Sequence, residues 1–253
     1  MLRASEAWTS MAFPEVVVVA RGRVPVLEAE RFAGAVGRQL RRMRVGDGAR
    51  LRITAPNCDI GPFLAQVNLT VDGAAVRVQT LTHGRGDALP VVVRLEHQIL
   101  ASRKAWQPRP WPDPARRPLD APLPGSIVRR KPVPLQTLSP LHAVMVMDAM
   151  DYDAHLFIDI ETGEDAVVYR AGPSGLRLAR TRSVHPPRTT IGTDVPFVVN
   201  PRPAPVITEN EAVHRVCEIG SSFLFHVDPD TGRGRLLYRR YDADLGLVAA
   251  DVE

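Results

Sequence analysis

One stretch of this chain occurs twice. Asp159-Ile-Glu-Thr-Gly-Glu-Asp-Ala-Val-Val-Tyr-Arg170 returns as Asp228-Pro-Asp-Thr-Gly-Arg-Gly-Arg-Leu-Leu-Tyr-Arg239, displaced by 69 positions (159 to 228). The same ungapped shift superposes Ala143-Val144 on Ala212-Val213, Met150 on Ile219, and Leu176 and Leu178 on Leu245 and Leu247. A match held that far without a gap marks a duplicated structural unit. In each copy a helix start, Ser139-Pro140 or Thr208-Glu209, opens an apolar pattern at three- and four-residue spacing: Ala143, Val144, Met147, Met150 against Ala212, Val213, Val216, Ile219. Strands are predicted at 155–158, 166–170 and 176–179, and again at 223–227, 235–239 and 245–248. Gly163 and Gly232 supply the positive φ of the intervening turns.

One helix and three strands in roughly fifty residues bury too little core to stand alone. The repeat therefore reads as a pairing module whose apolar face carries Phe157, Val168 and Tyr169 in one copy and Phe225, Leu237 and Tyr238 in the other. The tether Thr181–Pro205 holds the copies at an effective concentration on the order of mM, which favours pairing within one chain and predicts a monomer. His226 stands opposite Phe157 in the alignment, and Arg233 and Arg235 opposite Glu164 and Ala166, so a heterologous pair with opposite charge at one edge is expected.

The remaining chain sets the fold class as α+β, an N-terminal βαβββα domain followed by the two small β-rich repeats. Residues 1–13 read as a flexible tail and 14–105 as the first domain. Residues 106–130 are a Pro/Arg-rich linker, 131–181 repeat one, 182–198 a second linker and 199–253 repeat two. Glu15–Val24 is an apolar strand. The helix over Ala29–Arg44 has Phe32, Ala33, Val36, Leu40 and Met43 on one face and ends at Gly46-Asp-Gly48. Strands at 50–55, 64–71 and 75–81 follow, the last two joined at Asp72-Gly73. Asp87 is expected to cap a helix reaching Lys104, with Leu89, Val92, Val93, Leu95, Ile99 and Leu100 as its apolar positions. Trp106 and Trp111, in the stiff Pro-rich segment, either stack on exposed bases or pack at a domain edge.

No catalytic constellation emerges, and neither cofactor nor metal is expected. Asp148, Asp151, Asp153 and His155 have ligand-like density, but repeat two carries Cys217, Gly220 and Ser222 at the places of the three aspartates, so a solvated helix end is the reading. Cys58 and Cys217 stand alone, which fits a reducing compartment. No apolar run suits a signal peptide or a bilayer span, so the chain is expected to be cytoplasmic, without membrane contact.

Charge is the better lead. The net charge is +4, and the only lysines are Lys104 and Lys131. This Arg bias suits phosphate contact, or reflects codon composition alone. Arg38, Arg41 and Arg42 on the first helix join Arg85, Arg94, His97, Arg103 and Lys104 on or before the second. Two helices lying side by side concentrate these on one surface, the footprint of a phosphate binder. Arg109, Arg116, Arg117, Arg129, Arg130 and Lys131 extend the basic character through the linker.

The motif Glu161-Thr-Gly-x-x-x-Val-Val-Tyr-Arg170, with Phe157 and Ser139-Pro-x-x-Ala143 before it, resembles the C-terminal domain of long ribosome hibernation promoting factors. Asp230-Thr-Gly with Leu236-Leu-Tyr-Arg-Arg240 and Leu245-Gly-Leu-Val248 is similar to the same domain. The βαβββα region, with Leu95-Glu-His-Gln-Ile99, is similar to that family's N-terminal domain. The resemblance implies a translation silencer of stressed or dormant cells that binds the 16S rRNA of the small ribosomal subunit at the decoding region, on 70S particles, with ribosomal proteins near the docked repeats. Long members usually carry one C-terminal domain, which self-associates and joins two ribosomes. Two such domains, as in a variety associated with dormancy and low oxygen, put disome formation in doubt. Repeat one also has Pro173-Ser174 where the family has an Asp-Gly turn. The rival reading is a stress-induced module whose repeats dock a protein partner without ribosome binding.

Overall fold

The computed structural model describes residues 6–55, 62–109, 111–113, 123–171, 175–188 and 197–251. The chain divides into two compact units, the first Met1–Gln107 with Ala149–Asp151 and the second Pro108–Asp148 with Tyr152–Glu253. Cys58, Arg116, Arg117 and the Pro173-Ser174 turn lie outside the described residues.

The first unit contains β1 (Glu6–Thr9), β2 (Val16–Gly22), α1 (Val26–Arg42), β3 (Ala49–Ala55), β4 (Leu64–Val71), β5 (Ala74–Leu81) and α2 (Leu89–Ser102). These form one sheet in the order β1-β2-β3-β4-β5. β2 and β3 are parallel, a join that needs a crossover, and α1 provides it. Phe32, Ala33, Val36 and Leu40 on α1 and Val91, Leu95 and Ile99 on α2 bury against Val16, Val18, Leu51, Ile53, Val67 and Val78 of the sheet. Asp72 (φ 51°) and Gly73 (φ 84°) make the β4–β5 hairpin with two left-handed residues.

Four expectations change here. The tail at residues 1–13 carries β1, which pairs antiparallel with β2, while Trp8 Nε1 and Ser10 Oγ donate to the Glu30 carboxylate at 2.7 and 2.8 Å. The first helix ends at Arg42, because Arg44 takes the left-handed turn (φ 56°) and Val45 N–H closes on Leu40 O at 3.0 Å, before Gly46 is reached. Asp87 does not cap α2; its carboxylate accepts from His83 N–H at 3.0 Å. The inward stripe of α2 is Val91, Leu95 and Ile99, at four-residue spacing, leaving Leu89, Val93 and Leu100 exposed.

The second unit holds β6 (Ile127–Val133), β7 (Thr137–Leu138), α3 (Pro140–Ala149), β8 (Ala154–Asp159), β9 (Asp165–Tyr169), β10 (Leu176–Arg180), β11 (Phe197–Val199), α4 (Glu209–Ile219), β12 (Phe223–Val227), β13 (Gly234–Arg239) and β14 (Leu245–Ala250). Its sheets run β11-β10-β9-β8-β7 and β12-β13-β14-β6. The strand preceding each repeat thus completes the sheet of the other. β11 lies parallel to β10 with Val198 opposite Arg177, and β6 lies parallel to β14 with Arg129 opposite Gly246. Both members of one pairing map onto the other by the 69-residue shift. The bridge Val206–Val227 likewise repeats Thr137–Ile158. This reciprocal exchange puts strand structure into residues 127–130 and 197–198, which the sequence reading assigns to linkers.

Repeat two starts with a full capping box: Thr208 Oγ1 accepts from Glu211 N–H while the Glu211 carboxylate accepts from Thr208 N–H. Its helix α4 ends at Gly220 (φ 74°). The matching residue of repeat one, Asp151, adopts the same left-handed conformation at φ 52°, a place where Asp is tolerated among non-glycine residues.

Candidate functional site

The helix pair of the first unit gathers the predicted cations unevenly. Gly86 N–H donates to Glu28 near the start of α1 (2.7 Å), Arg42 on α1 pairs with Glu96 on α2 (2.6 Å), and Arg103 Nη1 donates to Met43 O (2.7 Å). α1 and α2 therefore run parallel, and their C-terminal ends meet. Arg38, Arg41, Arg42, Arg103 and Lys104 are exposed and belong to that end. Arg85 sits before the other end of α2, roughly 20 Å away along a fourteen-residue helix. Arg94 and His97 occupy the middle of α2.

Four of these cations already hold carboxylates. Arg94 meets the buried Asp151 at 2.7 Å and is nearly buried itself, so it is not an open phosphate contact and Asp151 is no solvated helix end. Arg41 grips Glu15 with two hydrogen bonds (2.7 and 3.2 Å), its guanidinium 4.5 Å from the Phe13 ring centre. This pairing keeps the Glu15 carboxyl below its usual range. Arg103 reaches Asp72 at 3.0 Å. Exposed pairs of this kind are weak and screened by salt. The sequence reading left out Arg31 and Arg44, both exposed beside α1. It also left out Arg50 and Arg52 on β3. In register with Asn68–Arg77 and Gln66–Gln79, these two form polar rows on the sheet face away from the helices.

The linker cations take other roles. Arg109 donates to Asp148 O at 2.5 Å and its own carbonyl accepts from Arg170 at 3.0 Å. Arg130, on β6, pairs with Glu209 at 2.5 Å, and Lys131 Nζ lies 4.8 Å from the Tyr238 ring centre. Arg129 stands in the same strand at its register with Gly246. Trp111 packs against Gly175. Asp148 is no solvated helix end: it is buried and accepts from Arg170 at 2.6 Å. Among the described residues no cluster of His, Cys, Asp and Glu is placed to hold a metal.

At the repeat junction the two sheets share one core of Leu156, Val167, Ala179, Ala204, Phe225, Val227 and Leu236, with Tyr169 against Phe223 (centroids 4.9 Å). Tyr169 and Phe225 thus reach the partner repeat, and Tyr238 shares their face under Lys131. Leu237 does not: strand alternation turns it to the outer face, onto Ala212 and Val216 of α4. Phe157 and Val168, neighbours of the inward Leu156 and Val167, alternate away in the same manner and are fully buried. The sequence reading took adjacent positions together where the pleat separates them.

Near the pseudo-twofold axis stand Asp165 and Gly234, equivalent positions of the two repeats. Asp165 accepts two bonds from Arg233 (2.8 and 3.0 Å) and one from Gly234 N–H (2.7 Å). A Cβ on Gly234 would lie 2.7 Å from Asp165 Cβ and 2.8 Å from Phe225 Cε2. A pair of first repeats would bring two aspartates together here. A pair of second repeats would leave Arg233 without this acceptor. Each repeat also folds its turn over an aspartate: Gly163 and Gly232 N–H donate to Asp159 O and Asp228 O at 2.7 and 2.9 Å. Arg180 then locks Asp159 in an ion pair (2.7 Å) that is almost wholly out of solvent.

The chain, with its basic helix-on-sheet unit and its strand-exchanged repeats, belongs to the family of long ribosome hibernation promoting factors. Residues 123–178, from before β6 into β10, match the family described as Sigma 54 modulation/S30EA ribosomal protein C terminus. Over 241 residues the chain is 53% identical to the "Dormancy associated translation inhibitor" of Mycobacterium tuberculosis, in strain CDC 1551 / Oshkosh and in strain ATCC 25618 / H37Rv, covering 93% of this chain and 88% of each relative.

Proposed function

We propose that this protein is a hibernation factor that silences translation by binding 16S rRNA in the decoding region of the small subunit, and that its two repeats satisfy one another within a single chain. Family membership carries the first part, together with the exposed cations where α1 and α2 end. Folded rRNA is recognised largely through shape and backbone, so dispersed arginines suffice without a base-reading motif. The asymmetric Asp165–Arg233–Gly234 contact supports the second part, because it disfavours pairing of like repeats. A monomer that occupies 70S particles without joining them follows.

Sedimentation with purified ribosomes tests this. The chain should travel with 30S and 70S particles, generate no faster peak, and bind with a log K–log salt slope of roughly 0.7–0.9 per phosphate contacted. Replacing Arg41, Arg42, Arg103 and Lys104 together by Glu should abolish co-sedimentation while leaving a folded chain. A binding constant indifferent to salt, or a ribosome dimer peak, contradicts the reading.

A further inference from the structure

The junction of the repeats holds a cleft of about 270 Å³ whose lining includes Val167, Tyr169, Asn200, Arg202, Phe223 and Phe225. Register places Val198, Arg177, Tyr169 and Ala154 in one row across the sheet face, with Ala179, Val167 and Leu156 in the next. Tyr169 Oη donates to Asn200 Oδ1 at 2.7 Å, which fixes the amide and leaves its NH2 group for another acceptor. Arg177 and Arg202 have no carboxylate or hydrogen-bond partner among the described residues, and Arg177 Nε is buried without one. Two uncommitted guanidinium groups beside an aromatic cleft stand out in a unit whose other arginines mostly hold acceptors.

At the symmetry-related place Gly246 replaces Arg177, Lys131 replaces Asn200, and the lysine covers the Tyr238 ring. Sequence divergence has therefore left the cleft on one side and covered its counterpart.

We infer that this cleft takes one unstacked base of ribosomal RNA, stacked on Tyr169 or Phe223, with Asn200 bonding the base edge and Arg177 and Arg202 holding flanking phosphates. The inference rests on the ribosome reading and makes the repeat pair a second RNA contact. Aromatic faces accept any base, and guanidinium groups suit the backbone. An acidic peptide carrying an apolar anchor is the competing occupant.

The test is zero-length ultraviolet cross-linking of the full chain to purified 30S subunits, with peptides mapped by mass spectrometry. Peptides containing Tyr169 or Phe223 should carry RNA. The Arg177→Glu/Arg202→Glu variant, both sites lying outside the helix surface of the first unit, should lose that adduct at least tenfold, keep co-sedimentation and keep its melting temperature. Adducts confined to the first unit, a cleft adduct undiminished in the variant, or a cleft cross-linked to a ribosomal protein overturns this inference and leaves the ribosome reading standing. Failure of the wild-type chain to co-sediment overturns both.

Discussion

The two repeats share a backbone plan and differ in how they satisfy the same buried positions. Arg170 and Arg239 are equivalent and both nearly buried. Arg170 meets the carboxylate of Asp148, whereas Arg239, in a repeat that has Cys217 at the position of Asp148, bonds three carbonyls: Ala243 O, Leu123 O and Val216 O at 2.8, 3.0 and 3.3 Å. Asp165 opposes Gly234, and Asn200 beside Tyr169 answers Lys131 over Tyr238. Duplication supplied the exchanged strands; divergence of the side chains made the halves complementary and unequal. A symmetric pair has no preferred orientation, while this one fixes which face of the junction is open.

The largest effect should come from attacking the axis. Gly234→Asp places a second carboxylate against Asp165 and adds a Cβ where there is no room, so the shared core should open. Loss of the cooperative unfolding transition of the second unit, followed by calorimetry, is the expected result. A chain lacking residues 181–253 exposes the same core and should self-associate. Asp165→Gly in that background should tighten the association, read as a lower dimer dissociation constant, because it removes the facing aspartates.

Next come the equivalent arginines. Arg170→Met takes the shorter of two cation contacts from the buried Asp148 and leaves it Arg109 at 4.0 Å, a loss of at most about 3–5 kcal/mol. Arg239→Met leaves carbonyls only, about 1–3 kcal/mol. Chemical denaturation of the two variants should rank them in that order; equal losses would erase the distinction.

A smaller effect distinguishes the histidines. Burial lowers the His155 pKa from 6.5 to about 4 and also lowers that of His226, which is enclosed with Arg235, Asp228 and Glu209 nearby. A depressed histidine pKa means the unfolded chain takes up protons more readily. Stability should be complete above pH 6.5 and decline as pH falls towards 4. The lowered carboxyls of Glu164 and Asp228 contribute above their unfolded values and are lost only at still lower pH. Melting temperatures between pH 7 and 4.5 should therefore fall, and His155→Phe should flatten part of that fall. Smallest of all, Lys131→Ala removes a cation–aromatic contact for about 0.5–1 kcal/mol.

Much of the fold was legible because periodicity and duplication are local signals. The duplicated unit itself, the Asp72-Gly73 hairpin and the Thr-Gly turns follow from residue type and spacing. The strand exchange was not, since β6 and β11 read as Pro- and Arg-bearing linkers and gain their conformation only from the sheet they join. Which of two neighbouring apolar residues faces the partner was equally hidden, as Val168 and Leu237 show, because both faces of these strands are buried. The 69-residue shift already paired Asp165 with Gly234, yet only the exchanged geometry puts them face to face. The arginines of the helix ends were visible as cations. Their carboxylate partners, many positions away, were not.

Sedimentation equilibrium of the full-length chain over a hundredfold concentration range tests the central claim most directly, that the repeats are each other's partner within one molecule. A single species with the mass of one chain throughout is the expected result. A concentration-independent species of twice that mass would show that the strands cross between molecules and would contradict the account.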